Sequence, residues 1–145
     1  MIAVDTNILI EIANEDAPHH DSSRRWLDET CGSGERWGTT WPVVYEFIRV
    51  TTHRNVMRTP WSLLQAWAFL DVLLAAPGAE MILATPRHAE IAINVFGEVP
   101  FAAGNIIHDL HTVVLMREHG IRQICTRDSD FRRFPGIEVV DPVRA

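Results

Sequence analysis

The chain has 145 residues, 47% of them hydrophobic, and a formal net charge of −6 at pH 7. This length predicts a single domain over 1–145, and the balance of apolar and charged residues excludes a disordered chain. No apolar stretch reaches the roughly 18 residues of a membrane span, so we expect no membrane partner. The N-terminus lacks the basic region of a secretory signal, and two cysteines exclude a disulfide framework. We therefore expect a cytoplasmic protein.

Short apolar segments alternate with longer segments of helical periodicity along the whole chain. The predicted strands cover residues 2–4, 36–40, 81–84, 121–126 and 137–140. The predicted helices cover residues 8–14, 18–30, 41–53, 60–76, 86–96, 106–119 and 128–134, with caps at Asp5, Thr40, Asn105 and Asp128. This alternation is typical of parallel β-α-β units. The predicted fold class is therefore α/β, a three-layer α/β/α sandwich with a central, mostly parallel sheet of four or five short strands.

Within the predicted helix 60–76, the segment 61–74 is apolar on nearly every side. A helix on the outside of a small sheet normally has a polar face towards water. We therefore expect this helix either to be deeply buried or to form an interface with another protein.

Four carboxylates fall at positions that this topology can bring together. Asp5 and Asp128 follow predicted strands at their carboxyl ends, where open α/β sheets place their sites. Glu46 and Asp109 lie in apolar helices, where an unpaired charge is costly. Each acid alone also has a structural explanation: a helix cap, a favourable charge at a helix N-terminus, or, for Glu46, an ion pair with Arg49. Together they would repel one another unless cations intervene, and divalent cations that prefer oxygen ligands, such as Mg²⁺, fit best.

Several segments of the chain together resemble one known family. They are Val4-Asp5-Thr6-Asn7-Ile8-Leu9, the mid-chain Glu46, Asp109, and Ile124-Cys-Thr-Arg-Asp-Ser-Asp-Phe131. In this order they resemble the PIN-domain ribonucleases, and most of all the VapC toxins of type II toxin–antitoxin pairs. The resemblance spans nearly the whole chain, so it implies a single PIN domain.

The resemblance also assigns roles to residues by their position in the motifs. The family's acidic quartet, which binds metal and carries the catalysis, falls on Asp5, Glu46, Asp109 and Asp128. Asp130 corresponds to an auxiliary acid. Thr6 and Asn7 correspond to polar residues that orient the first aspartate, and Thr126 corresponds to a hydroxyl near the site.

The function implied by the resemblance is that of an endoribonuclease dependent on Mg²⁺, with Mn²⁺ as a substitute. It would hydrolyse structured RNA in line, leaving a 5′-phosphate and a 3′-hydroxyl, and so inhibit translation and growth; transfer, ribosomal and messenger RNA all stay open as substrates. The implied partners are a VapB-type antitoxin and a second copy of the chain. Candidate stacking residues for RNA bases are Trp37, Trp41 and Trp61. Candidate phosphate contacts are Arg24, Arg25, Arg49, Arg54, Arg58, Arg127, Arg132 and Arg133.

Two other functions are compatible with parts of the pattern. An aspartate-phosphorylating phosphotransfer domain also has an aspartate after its first strand. Against it, all 13 basic residues are arginines, so the lysine of such domains is absent, and Asn7 stands where the dehalogenase-type pattern needs a second aspartate. The other alternative is a catalytically silent PIN-like interaction module, against which the four intact acids argue.

Overall fold

A computed structural model describes residues 1–144 and shows a five-stranded sheet with helices on both faces. The strands are β1 (Ile2–Val4), β2 (Trp37–Thr39), β3 (Ala79–Met81), β4 (Gln123–Cys125) and β5 (Glu138–Val140). The helices are α1 (Thr6–Ala13), α2 (His20–Ser33), α3 (Trp41–Thr51), α4 (Leu63–Leu74), α5 (His88–Glu98) and α6 (Ile106–Glu118), and a 3₁₀-helix, Ser129–Arg133, lies between β4 and β5. The strand order is β3-β2-β1-β4-β5 and every neighbouring pair is parallel. The predicted α/β/α fold is confirmed.

The central strand β1 divides two hydrophobic cores between the faces of the sheet. Ile2 and Val4 belong to the core with Phe47 and the helices α1 to α4, whereas Ala3 belongs to the core with Val113 and the helices α5 and α6. Successive residues of a strand point to opposite faces, so the short apolar strand supplies both cores. Each fully buried large apolar side chain stabilises this arrangement by about 1.5–3 kcal/mol.

The strand order creates a crevice at the carboxyl ends of β1 and β4. From β1 the chain continues through β2 to β3 at one edge, and then crosses to β4 and β5 on the other side of β1. Such a reversal leaves an opening above the two diverging strands. The Asp5 amide donates to the Cys125 carbonyl oxygen (3.1 Å), so Asp5 and Thr126 emerge side by side. The fold thereby positions the first and last predicted motifs at one place.

The third strand lies earlier in the chain than predicted. Gly78 has a φ of 76°, in the region that favours glycine, and its carbonyl oxygen accepts a hydrogen bond from the Trp37 amide (2.9 Å). Pairing with β2 therefore begins at Ala79, and the predicted strand 81–84 is wrong in position by two to three residues. This edge is set by pairing with β2, not by the apolar run that follows it.

Two helices begin later than predicted because of specific side-chain hydrogen bonds. The helix expected from residue 60 begins at Leu63, since Ser62 and Gln65 form a capping box. The helix expected from residue 86 begins at His88, because both the amide and the hydroxyl of Thr85 are held by Glu118 at 2.7 Å. The cap predicted at Asn105 is wrong: its backbone is helical and its side chain makes no cap hydrogen bond.

The helix α4 is only partly buried. Leu64 is 82% exposed and Trp67 is 45% exposed, and the Trp67 ring stacks on the ring of Trp41 from α3 at 6.3 Å. Together with Tyr45, which is also exposed, these side chains form what we call the α3–α4 apolar patch. Of the two alternatives predicted for this helix, deep burial on all sides is excluded. Within residues 1–144, no helix is both long enough and apolar enough to cross a membrane.

Candidate active site

The Asp5 carboxylate is fixed by three hydrogen bonds at the end of β1. One oxygen accepts from the Thr6 amide (2.7 Å), and the other accepts from Asn7 Nδ2 (2.7 Å) and from the Thr126 hydroxyl (2.6 Å). Burial raises the pKa of Asp5 above its ordinary range, although these three hydrogen bonds favour the ionised form and oppose the shift. Asp5 is therefore a well-oriented carboxylate whose charge is costly without a compensating cation.

Asn7 and Thr126 tie the ends of β1 and β4 together. Asn7 Nδ2 also donates to the Thr126 hydroxyl oxygen (2.9 Å), and its Oδ1 accepts from the Arg127 amide (3.1 Å). The Thr126 oxygen further accepts from the Asp128 amide (3.0 Å). The polar residues assigned to orienting the first aspartate thus form one network that also positions the backbone of Asp128.

Three further carboxylates converge beside this network. Asp128 caps the 3₁₀-helix by accepting from the Asp130 amide (2.8 Å), which brings Asp130 alongside it. Asp109 reaches the same place from the first turns of α6. One carboxylate oxygen from each of Asp109, Asp128 and Asp130 lies within 4.8 Å of the others. Such a set of oxygen donors is what Mg²⁺ and similar cations take as ligands, so these residues fit a divalent cation.

The raised pKa of Asp109 also indicates that this cluster fits a cation. Its pKa is raised from 3.8 to about 7, first by burial and then by the negative charges of Asp128, Asp5 and Asp130. Like charges held close together disfavour ionisation unless an opposite charge is present. The carboxylates of the cluster therefore repel one another, and a bound cation would offset this repulsion.

Glu46 lies apart from this cluster and is paired with an arginine. Arg49 donates to both oxygens of Glu46, at 2.8 and 2.5 Å, one turn along α3. This pair lowers the pKa of Glu46, and His108 nearby adds to the effect. The ion pair considered from the spacing is present, yet Glu46 still lines the same groove as the aspartates.

The groove has a volume of about 890 Å³ and contains the whole predicted acidic quartet in its walls. Asp5, Glu46, Asp109 and Asp128 line it together with Thr6, Asn7 and Asp130. Among the eight arginines considered as phosphate contacts, Arg49 is the one that lines it within residues 1–144. The sequence did not distinguish Arg49 from the other seven arginines. It also did not predict that Tyr45 lines the groove, although both residues lie near Glu46 on α3.

The tryptophans considered for base stacking have different environments. Trp37 is fully buried in the sheet, which removes it as a platform for a base. Trp61 is half-buried and packs against Phe47 (6.2 Å) and Phe69 (5.4 Å). Trp41 is exposed, but it belongs to the α3–α4 apolar patch rather than to the groove lining.

Comparisons with known proteins agree with this geometry. The PIN domain family model matches residues 2–137. Ribonuclease VapC37 from Mycobacterium tuberculosis is 34% identical over 142 residues, which cover 98% of this chain and 97% of the relative. Ribonuclease VapC33 from the same species is 30% identical over 147 residues and 99% of each chain.

Solved structures share the fold over nearly the full length. VapBC2 from Rickettsia felis, bound to a DNA fragment from its promoter, superposes with a TM-score of 0.70 at 17% identity, covering 97% of this chain and 98% of that one. VapC20 from Mycobacterium tuberculosis, described as a sarcin–ricin loop cleaving toxin, has a TM-score of 0.62 at 21% identity, covering 91% and 93%. The resemblance noted in the sequence is confirmed: the chain belongs to the PIN-domain family and, within it, to the VapC proteins.

Proposed function

We propose that this chain is the ribonuclease toxin of a VapBC-type pair, and that it hydrolyses RNA in the groove above β1 and β4. The observation that carries the proposal is the convergence of Asp109, Asp128 and Asp130 beside the fixed carboxylate of Asp5. Full-length relatives named ribonuclease VapC support the same activity. We also propose that residues 1–145 form one PIN domain.

The reaction we propose depends on a divalent cation, Mg²⁺ or Mn²⁺, held by the carboxylates of the groove. Asp5, Asp109 and Asp128 would hold it, with Asp130 and Glu46 completing the acidic wall. A bound cation of this kind supplies an acidified water and neutralises negative charge on the phosphate. The proposed products carry a 5′-phosphate and a 3′-hydroxyl.

The residues of the chain contribute orientation and charge. Thr6, Asn7 and Thr126 hold Asp5 in one orientation through hydrogen bonds of 2.6–2.7 Å, so little reorganisation accompanies the reaction. Asp109, with a pKa near 7, is ionised only in part at neutral pH until a positive charge arrives. Ionisation of the groove carboxylates is therefore unfavourable until a cation binds, and the cation binds in the place where the substrate phosphate binds.

The proposed partners are structured RNA, a VapB-type antitoxin and a second copy of the chain. The α3–α4 apolar patch is the surface that we assign to the homodimer, because its large apolar side chains Tyr45, Leu64 and Trp67 are all exposed to water. Tyr45 belongs both to this patch and to the groove wall, so a partner seated there lies next to the site.

The test is cleavage of structured transfer, ribosomal and messenger RNA by the purified protein with Mg²⁺ or Mn²⁺. We expect the wild type to produce defined fragments with 5′-phosphates, and Asp5→Asn and Asp109→Asn to lose at least about 100-fold in rate. Asp71→Asn, on the exposed side of α4, is the matched control and should cleave normally.

Cleavage that continues in EDTA, or at an unchanged rate in both Asp5→Asn and Asp109→Asn, would sink the proposal. Binding of Mn²⁺ by calorimetry without cleavage of any RNA would instead favour a catalytically silent PIN-like module. Expression in a bacterial host gives a second readout, since the wild type should stop growth and both variants should not.

A further inference from the structure

We propose that Arg49 is a substrate-binding residue that exchanges its carboxylate partner, Glu46, for a phosphate of the RNA. This inference rests on the proposed function, because it takes RNA as the substrate. It assigns to Arg49 a role beyond stabilising α3, and it makes the release of Glu46 a consequence of substrate binding.

The charge distribution of the groove is the first argument. Its walls contain five carboxylates: Asp5, Glu46, Asp109, Asp128 and Asp130. An RNA backbone entering this groove meets strong repulsion, which cations at the aspartate cluster relieve only locally. Within residues 1–144, Arg49 is the one arginine of the lining, so it is the permanent positive charge available to a second phosphate.

The geometry of the guanidinium is the second argument. Arg49 already binds Glu46 through two parallel N–H···O bonds, at 2.8 and 2.5 Å. The two non-bridging oxygens of a phosphodiester offer nearly the same pair of acceptors as a carboxylate. The arginine is therefore oriented, before the substrate arrives, in the way that bidentate phosphate binding requires.

The exposure of the pair is the third argument. The Arg49 side chain is 67% exposed and that of Glu46 is 43% exposed. An ion pair in contact with water contributes little to stability, so a phosphate can displace the carboxylate at small cost. The displaced Glu46 carboxylate is then free on the wall of the groove that holds the aspartate cluster.

The chain provides a matched control for this idea. Arg87, which precedes the first residue of α5, and Glu90 in its first turn form another ion pair three residues apart, at 2.9 Å, with 68% and 60% of their side chains exposed. Neither residue lines the groove. Arg87→Ala removes the same charge and the same type of pair as Arg49→Ala, but away from the site.

The experiment measures binding of a fluorescent RNA hairpin with an unpaired loop by anisotropy, at several salt concentrations, in an Asp109→Asn background that prevents cleavage. We expect Arg49→Ala to weaken binding about tenfold, as for a lost charge-assisted contact, and to reduce the slope of log K against log salt by about 0.7. Arg87→Ala should change neither value. Arg49→Lys keeps the charge without the fork and should recover the slope but only part of the affinity.

The outcomes separate this inference from the proposed function. If the wild type cleaves RNA but Arg49→Ala and Arg87→Ala bind with the same affinity and salt slope, the Arg49 role is overturned alone. Faster cleavage by Arg49→Ala with unchanged RNA affinity would also overturn it, since Arg49 would then act only by restraining Glu46. If the wild type neither binds nor cleaves RNA, both proposals fall.

Discussion

Asp109→Asn should make the cation-free protein more stable at alkaline pH, although it removes a proposed active-site residue. Burial and three neighbouring carboxylates raise the pKa of Asp109 from 3.8 to about 7. A difference of about 3 pKa units corresponds to about 4 kcal/mol. Because Asp109 is only partly buried, we reduce this value for solvent screening to about 2 kcal/mol.

The sign follows from proton linkage. Between about pH 4 and pH 7 the folded state keeps the Asp109 proton that the unfolded state has lost, so this residue makes the folded protein less stable as pH rises through that range. At pH 8 the wild type bears the whole penalty, whereas the neutral asparagine bears none. At pH 3.5 both side chains are uncharged and the two proteins should be equally stable on this account.

Urea unfolding in EDTA at pH 3.5 and pH 8 provides the assay. We expect Asp109→Asn to raise the free energy of unfolding by about 2 kcal/mol at pH 8 and to leave it nearly unchanged at pH 3.5. Adding Mg²⁺ at pH 8 should stabilise the wild type more than the variant. A variant less stable than the wild type at pH 8, or a gain of equal size at both pH values, would refute the electrostatic reasoning.

Three other predictions concern packing and association. Thr126→Val should lower the free energy of unfolding in urea by about 2 kcal/mol, since its hydroxyl serves three hydrogen bonds; a Thr126→Ser variant no more stable than the valine variant would contradict this. Gly38→Ala should cost about 1–3 kcal/mol, because its Cβ would lie 2.7 Å from the Glu80 carbonyl oxygen, whereas Gly97→Ala meets nothing within 4 Å and should not lower Tm; equal Tm shifts would dispute this strand spacing. Leu64→Glu should keep Tm and convert a dimer to a monomer by light scattering, and a wild type that is already monomeric would contradict the homodimer.

Much of the fold follows from local patterns. The position of β1 and the start of α3 at the Thr40 cap are each determined by residues that are close together in the sequence, so both were predictable. The displaced β3 and the late start of α5 were not, because their boundaries depend on partners distant in the chain. The start of β3 is set by the hydrogen bond from the Trp37 amide, and the start of α5 is set by the hydrogen bonds that Thr85 donates to Glu118.

The candidate site shows the same division. Asp5 and Asp128 could be recognised from the sequence because each follows a short apolar strand and begins a helical turn, which fixes the direction of the backbone locally. The partnership of Asp130 with Asp109 and Asp128, and the binding of Thr126 to Asp5 across 121 positions, depend on strand register and helix packing. The one-dimensional pattern therefore specified which acids were present at the ends of elements. Only the folded chain decided which of their oxygens face one another and which, like those of Glu46, are held by an arginine instead.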